Sequence, residues 1–309
     1  MQQNTSYLLM IEPVNFGFNE ETAVNNVFQQ NNTGDIQPMA LEEFNALVKL
    51  LRDNKIDVSV VKDTPQPNTP DSIFPNNWIS FHENGTMVLY PMFALNRQLE
   101  RKPSVLDAVE KKFTVVELID LSEAEEKQLY LEGTGSMVLD RVNCLAYACL
   151  SPRTHLPLLK EFCRLNGYAP IAFTARDDNG IAIYHTNVMM NIANEYAVIC
   201  LDAITDKRER ENVIGSLKRS GKEIIDISFD QLHRFAGNML QVKNADQEML
   251  LVMSSQAYGS LTHEQVTALK KYNRILYSDL KTIETAGGGS ARCMMAEVFL
   301  QPKNFTQSR

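Results

Sequence analysis

Residues 77–91 read NWISFHENGTMVLYP. Apolar and polar residues alternate on both sides of Asn84-Gly85, the pattern of two antiparallel strands joined by a tight turn. The pattern recurs as SMVLDR-VN-CLAYACL, NVMMNI-ANE-YAVICLD and NMLQV-KNADQE-MLLVMS. The turns fall near residues 84, 142, 194 and 245, roughly 50–58 residues apart. Another strand-like run, SARCMMAEVFLQ, follows about one period later, and SYLLMIEP opens the chain as a strand.

Helical periods lie between the hairpins. Leu41, Phe44, Leu47, Val48 and Leu51 share one face of a helix predicted over 40–53. Further helices are predicted over about 96–112 and over 122–130, the latter behind a capping box at Ser122-Glu123-Ala124-Glu125. Others are predicted over 154–166, with Leu156, Leu159, Phe162 and Cys163 inward, and over the charged segment 205–219. A last one starts at Thr262, with Gln265 at its N3 position, and buries Val266 and Leu269. A hairpin and a helix in each period predict a repeated β-β-α-β unit, about five of them, each too small to bury both faces of its sheet alone. An ordinary α+β domain with evenly spaced hairpins fits the spacing equally well. The Pro-rich run PQPNTPDSIFPN, residues 65–76, reads as a rigid loop within one domain, because apolar periodicity resumes directly after it.

The chain has 309 residues, with 30 Lys+Arg against 38 Asp+Glu and a formal charge of −8. An acidic chain without a long basic run is a poor binder of nucleic acid. No apolar stretch approaches the ~18 residues of a membrane helix, and MQQNTSYLLMIEP is not a signal peptide. The expectation is a soluble cytoplasmic protein with no nucleic-acid and no membrane partner. The five cysteines, Cys144, Cys149, Cys163, Cys200 and Cys293, show no C-x-x-C spacing, so neither a disulfide framework nor a zinc site is indicated. The first four sit in apolar runs as small hydrophobes.

Cys293 differs, because it ends the run Thr285-Ala286-Gly287-Gly288-Gly289-Ser290-Ala291-Arg292-Cys293. Three glycines permit close backbone approach to a ligand, and the adjacent Arg292 is placed to favour a thiolate. A buried filler cysteine is the plainer reading of a lone Cys, and a nucleophile also needs a base and a group that orients it. Among the histidines, His82, His155, His233 and His263 lie in polar or helix-start contexts that suit solvated or capping roles. His185, in IYHTNVMMNI, stands at the mouth of an apolar hairpin, where a core imidazole is the alternative reading. Glu132, in LEGTGSMVLD, holds the same place in the preceding unit, and a solvated loop carboxylate is its alternative. Asn76 and Asn77 in FPNNW, and Asn238 in FAGNMLQV, also precede hairpins. If the units surround a common axis, Asn77, Glu132, His185, Asn238 and Cys293 converge.

This ordered set resembles the guanidine-modifying enzymes of the pentein superfamily, which includes arginine deiminases, dimethylarginine dimethylaminohydrolases and arginine:glycine amidinotransferases. The likeness covers essentially the whole chain in order. FPNNW is similar to the F-x-x-D segment, NRQLER to the arginine-bearing helix after it, and LEGTG to E-G-G-D. SPRT is similar to S-x-R-T, YHTNV to H-x-D, FAGNML to G-x-N-hydrophobic, and GGGSARC to the C-terminal G-G-G-x-x-C. FPNNW and AGNM look most like the citrulline hydrolase (citrulline ureidase) branch. The resemblance implies an α/β pentein propeller of five pseudo-symmetric β-β-α-β modules around a central site, one catalytic domain over 1–309 with polar tails at about 1–5 and 304–309. It implies Cys293 as nucleophile, His185 as general acid/base and Glu132 as its orienting partner. Arg97 and Arg153 are implied to hold a substrate α-carboxylate, with Asn77, Asn187 and Asn238 as further binding residues. No metal or organic cofactor is implied. A small-molecule amino acid is the expected partner, and a homodimer is compatible with the likeness but underived from the residues.

The departures bear on the substrate. Asn77 and Asn187 stand where deiminases carry Asp, Gly135 replaces the last Asp of E-G-G-D, and Arg292 stands where many relatives have His. A guanidinium offers only donors and a positive charge, whereas a neutral ureido group also presents a carbonyl, which an amide side chain meets at either end. The two asparagines therefore favour hydrolysis of citrulline to ornithine, CO2 and ammonia. The alternatives are an arginine deiminase, a dimethylarginine dimethylaminohydrolase or an amidinotransferase. From another class, a non-catalytic pentein that binds a partner would have no need of Cys293, His185 and Glu132 at matched positions.

Overall fold

A computed structural model describes residues 1–31 and 34–303; the expected polar tail at 304–309 lies outside the described residues. The fold is mixed α/β. Five three-stranded sheets share one plan, with a sixth, two-stranded pairing between 113–114 and 301–302. In each three-stranded sheet an antiparallel pair is extended by a parallel strand that returns after a helix. In one unit Ile79–Phe81 pairs antiparallel with Thr86–Leu89, and Glu117–Asp120 then lies parallel to the latter. Val138–Asp140, Leu145–Cys149 and Ala169–Phe173 repeat this order. So do Met190–Ile192, Tyr196–Ile199 and Glu223–Asp226, and Leu240–Lys243, Met249–Ser254 and Arg274–Ser278. The remaining sheet joins distant parts of the chain: Ala296–Glu297 pairs antiparallel with Tyr7–Glu12, which is parallel to Asp57–Lys62.

A parallel return needs a crossover connection, and the amphipathic helices supply it. Gln37–Asp53 buries Ala40, Phe44, Leu47, Val48 and Leu51. Leu156–Asn166 buries Leu158, Leu159, Phe162 and Cys163. Lys207–Arg219 buries Val213, Ser216 and Leu217. His263–Lys270 starts at a complete capping box of Thr262 and Gln265 and buries Leu269, with Val266 only half-buried. Among the described residues no helix is long and apolar enough to cross a membrane.

Several local expectations need correction. The helix predicted over 96–112 is broken into Leu95–Gln98 and Pro103–Lys112. Pro103 disfavours helical backbone at the residue before it, and Lys102 is extended. Residues 122–130 form only a 3-10 turn, Ser122–Lys127, without the capping box; the Asp120 side chain accepts from the Ser122 N–H instead, at 2.9 Å. The turn near 142 spans four residues, not two, and carries Cys144 at φ 53°. Residues 3–5 are not a solvated tail. Gln3, Asn4 and Thr5 are buried, because their side chains bridge backbone and side-chain groups of several sheets. His82 is also buried, bonded to Ser80 Oγ at 2.9 Å, and burial holds its imidazole well below the ordinary value.

The apolar cysteines behave as core. Cys149, Cys163 and Cys200 are buried, and burial pushes the Cys149 thiol up to about 12. Cys163→Ala is expected to cost about 1–3 kcal/mol in urea denaturation, with little effect on turnover. A loss of activity out of proportion to that destabilisation would contradict the assignment.

Candidate active site

The first strand of each unit is entered through a tight turn, and these turns carry the singled-out residues. Asn77 ends the 3-10 turn Pro75–Asn77 before Ile79–Phe81. Glu132 precedes the short helix Gly133–Ser136, and His185 precedes Thr186–Met189. Asn238 and Cys293 close the turns before Leu240–Lys243 and Ala296–Glu297, with the Asn238 N–H on Phe235 O and the Cys293 N–H on Ser290 O.

Glu132 is fully buried. Its Oε2 accepts from His185 Nε2 at 2.8 Å, and its Oε1 accepts from the Phe93 N–H at 2.9 Å. Arg153 Nη1 lies 3.6 Å from Oε2. Burial alone would raise this carboxyl, but Arg153 and His185 outweigh it and bring it down to about 2. For His185, burial lowers the imidazole to about 4 against the opposing pull of Glu132. A neutral imidazole thus faces an ionised carboxylate, and Nδ1 is its remaining ring nitrogen. Gly135 makes this approach feasible, since a Cβ there would sit 2.4 Å from Asn77 Nδ2 and 2.8 Å from His185 Nδ1. The departure from the E-G-G-D pattern is therefore a steric requirement in this chain.

The sulfur of Cys293 receives two amide donors, Asn187 Nδ2 at 3.4 Å and Asn238 Nδ2 at 3.3 Å. Asn238 is held on both sides: its Nδ2 also donates to Asn187 O at 2.9 Å, and its Oδ1 accepts from the Arg292 N–H at 3.0 Å. The Arg292 guanidinium donates to Met295 O at 2.8 Å and to Glu297 at 2.9 Å, and its backbone N–H supports the sulfur through Asn238.

Cys293, His185, Asn77, Arg97 and Arg153 line one small cavity. Arg97 donates from Nη1 to Asn77 Oδ1 at 2.8 Å and grips Glu100 from Nε and Nη2 at 2.9 and 3.0 Å. Arg153 Nη2 donates to Thr22 O at 2.7 Å, and its Nε donates to Asn25 Oδ1 at 2.8 Å. Thr22 and Asn25 belong to a segment that lines the cavity through Thr22 and Asn26. That segment is further tied by Asn26 Nδ2 to Gly288 O at 3.3 Å and by the Gln30 N–H to Thr285 O at 2.7 Å. Gly288 sits at φ +62°, where a Cβ would also lie 2.5 Å from Asn26 Nδ2.

Sequence reasoning missed Thr22 and Asn26 on the lining, and three more residues besides. Tyr184 donates to Gly288 O at 2.6 Å and places its ring beneath the Arg153 guanidinium. Phe74 forms part of the wall. Asp71 is buried with Oδ2 bonded to Asn19 and Thr22, at 2.7 and 3.0 Å, while Oδ1 has no partner among the described residues. Burial raises its carboxyl, with Arg97 pulling the other way. Its place in the Pro-rich loop a few residues before Asn77 was the signal available.

A family model described as N,N dimethylarginine dimethylhydrolase, eukaryotic, matches residues 12–300. The chain belongs to that family, within the pentein superfamily of guanidine-modifying enzymes. The neighbouring arginine dihydrolase and dimethylarginine dimethylaminohydrolase are hydrolases that act on carbon–nitrogen bonds. No curated protein sequence matches the chain. Among solved structures, apo ArgZ, an arginine dihydrolase from the ornithine-ammonia cycle in cyanobacteria, is 18% identical with a TM-score of 0.75 over 96% of this chain. The pentein chain spans only 41% of full-length ArgZ, but a substrate-bound cysteine-to-serine mutant of the ArgZ N-terminal domain is covered to 99%, at 18% identity and TM-score 0.74. A dimethylarginine dimethylaminohydrolase adduct with S-methyl-L-thiocitrulline is 13% identical, with TM-score 0.65 over 95% of this chain and 99% of that one. At such identities the shared feature is the fold.

The His185 pairing has a measurable consequence. An unfolded chain takes up the imidazole proton near 6.5, the folded chain only near 4. Stability from this group is therefore intact above pH 6.5 and falls as pH drops from 6.5 towards 4. Between pH 7.5 and 4.5, the stability of wild type relative to His185→Asn is expected to fall by about 2–3 kcal/mol, read from denaturant titrations at each pH. A pH-independent difference would mean that His185 is not buried neutral.

Proposed function

We propose that the chain is a cysteine-dependent hydrolase that attacks the ureido carbon of a citrulline-like amino acid. The five units would close as an α/β-propeller, one catalytic domain with the site on its axis. In support, the first strands of several neighbouring units lie side by side, 138–140 with 190–192, 190–192 with 240–243, and 296–297 with 79–81. In this reading the Cys293 sulfur attacks the trigonal carbon, and Asn187 and Asn238 offer N–H groups to a sulfur carrying negative charge. His185, oriented by Glu132, protonates the leaving nitrogen as the C–N bond breaks. It then takes a proton from water as the new C–O bond forms and the C–S bond breaks. At the other end, the unpartnered Asp71 Oδ1 suits an α-ammonium group, and Arg97 and Arg153 suit an α-carboxylate. The carboxylate would replace the bonds that Arg153 now makes to Thr22 and Asn25.

The observation that carries the ureido reading is the chemistry around the sulfur. Asn77, Asn187 and Asn238 are amides, and both oxygens of Glu132 are already bonded. A guanidinium there would find little free negative charge, whereas a ureido group finds donors and acceptors. A second reading, hydrolysis of a guanidino substrate such as arginine or a methylarginine, is favoured by the family match.

Cys293→Ser should fold normally and retain less than a few per cent of turnover, because only the covalent step is lost. Glu132→Gln should lower kcat about a hundredfold or more with a smaller change in KM; a change in KM alone would make Glu132 a substrate ligand. The substrate is decided by kcat/KM for citrulline and for arginine, scoring ornithine, ammonia and urea. Asn77→Asp should move the ratio towards arginine by about ten- to a hundredfold, the worth of one charge-assisted hydrogen bond. Efficient arginine turnover without citrulline turnover would discard the ureido reading and leave the nucleophile standing.

A further inference from the structure

Glu284 is a buried carboxyl group that does not line the substrate cavity. It lies on the helix Lys281–Gly287, which leads directly into the glycines ahead of Cys293. Its Oε1 accepts from Ser290 Oγ at 2.6 Å, and its Oε2 accepts from Gln256 Nε2 at 3.2 Å. Neither partner is a cation. Burial raises this carboxyl to about 7; the hydroxyls of Ser254 and Ser290 oppose the rise, and Glu43 and Asp279 add to it. A buried acid without a counter-charge is costly to keep, so its place beside the glycine run calls for a reason.

Three consecutive glycines bring no side chains with which to fix the run. Tyr184 and Asn26 hold it at the Gly288 carbonyl. Ser290 is the next anchor. It is fully buried, its hydroxyl is tied to Glu284, and its carbonyl accepts the Cys293 N–H at 2.9 Å. One residue therefore receives the hold from Glu284 and closes the turn that carries the sulfur. The helix behind Glu284 is a firm support. Ile283 and Ala286 belong to one buried cluster with Phe44 and Leu47, and Glu43 accepts from the N–H groups of Thr282 and Ile283 at 2.8 and 3.0 Å. A side chain rooted in the core thus reaches past the glycines to the residue that shapes the Cys293 turn.

We propose that Glu284 is a positioning residue for the nucleophile, holding through Ser290 the turn that aims the Cys293 sulfur at Asn187 and Asn238. This rests on Cys293 being the nucleophile of the proposed hydrolase. The sulfur meets its two amide donors at 3.4 and 3.3 Å. A displacement of the turn by about 1 Å would spoil these contacts and the approach to the substrate carbon together, and a misplacement of that size costs up to about a hundredfold in rate.

The test reads kcat and KM for citrulline and arginine, and the rate at which iodoacetamide alkylates Cys293 in the free protein, followed by peptide mass spectrometry. Glu284→Leu removes the acceptor and leaves an apolar group in the buried place. Ser290→Ala cuts the same bond from its other end and serves alone if the leucine variant does not fold. Both should lower kcat by about tenfold or more, with KM within about twofold, and both should shift the alkylation rate by about fivefold or more. Glu284→Gln copies the uncharged acid and keeps an acceptor for Ser290, so it should restore both rates to within about threefold of wild type. Glu284→Leu combined with Ser290→Ala should be no worse than either alone. Wild-type kcat and alkylation in the leucine and alanine variants overturn the proposal. So does a glutamine variant as damaged as the leucine one, which would make packing the cause, and so do additive losses in the double variant. If the wild type turns over neither citrulline nor arginine, the hydrolase reading falls, and the alkylation rates by themselves decide whether Glu284 positions Cys293.

Discussion

Glu132 is fully buried, and a carboxylate in that position must find protein donors for its lone pairs or become neutral. The donors come from far apart in the chain. Phe93 offers its backbone N–H, His185 its ring nitrogen, and Arg153 its guanidinium. The backbone of Glu132 is tied as well, its N–H donating to Ser136 Oγ, which in turn donates to Arg153 O, both at 2.8 Å. Satisfying one buried charge therefore sets the relative positions of the segments around residues 93, 132–136, 153 and 185. The imidazole has to come close to do so, and this is why position 135 has no room for a side chain.

Around the sulfur the structure relies on dipoles instead of charge. The nearby arginine turns to Glu297, and two carboxamides face Cys293. An amide can donate to sulfur while keeping its oxygen available, so the neighbourhood stays neutral and two-sided. Two cationic groups share the cavity, Arg153 at 3.6 Å from Glu132 and Arg97 bonded to Asn77, and Asp71 lines the same cavity.

The hairpins were legible because each alternates over a stretch long enough to show a period of two, and the long helices because their apolar stripes are continuous. The returning parallel strands were not. Glu117–Asp120 and Glu223–Asp226 are short and largely exposed or half-buried, so their pairing comes from the crossover helix and not from a local pattern. Cys293, His185, Glu132 and Asn238 could be found because the same point of each repeat carries them. Asp71 stands in an aperiodic loop and had no such marker. The partners that hold Arg97 and Arg153, Glu100 and Asn25, likewise follow from packing alone.

The strand Ala296–Glu297 reaches back to pair with Leu8 and Leu9. Contacts so distant along a chain close late in folding, because the loop they complete is the longest. Cys293 rides on the turn that leads into this strand. During synthesis the other four hairpins and their helices can dock before that segment has left the ribosome, yet the thiol then has neither Asn187 nor Asn238 beside it. Burial of the sulfur and completion of its surroundings are one event. In a partly folded chain the Cys293 thiol is accordingly open to oxidants and alkylating agents until the final strand docks.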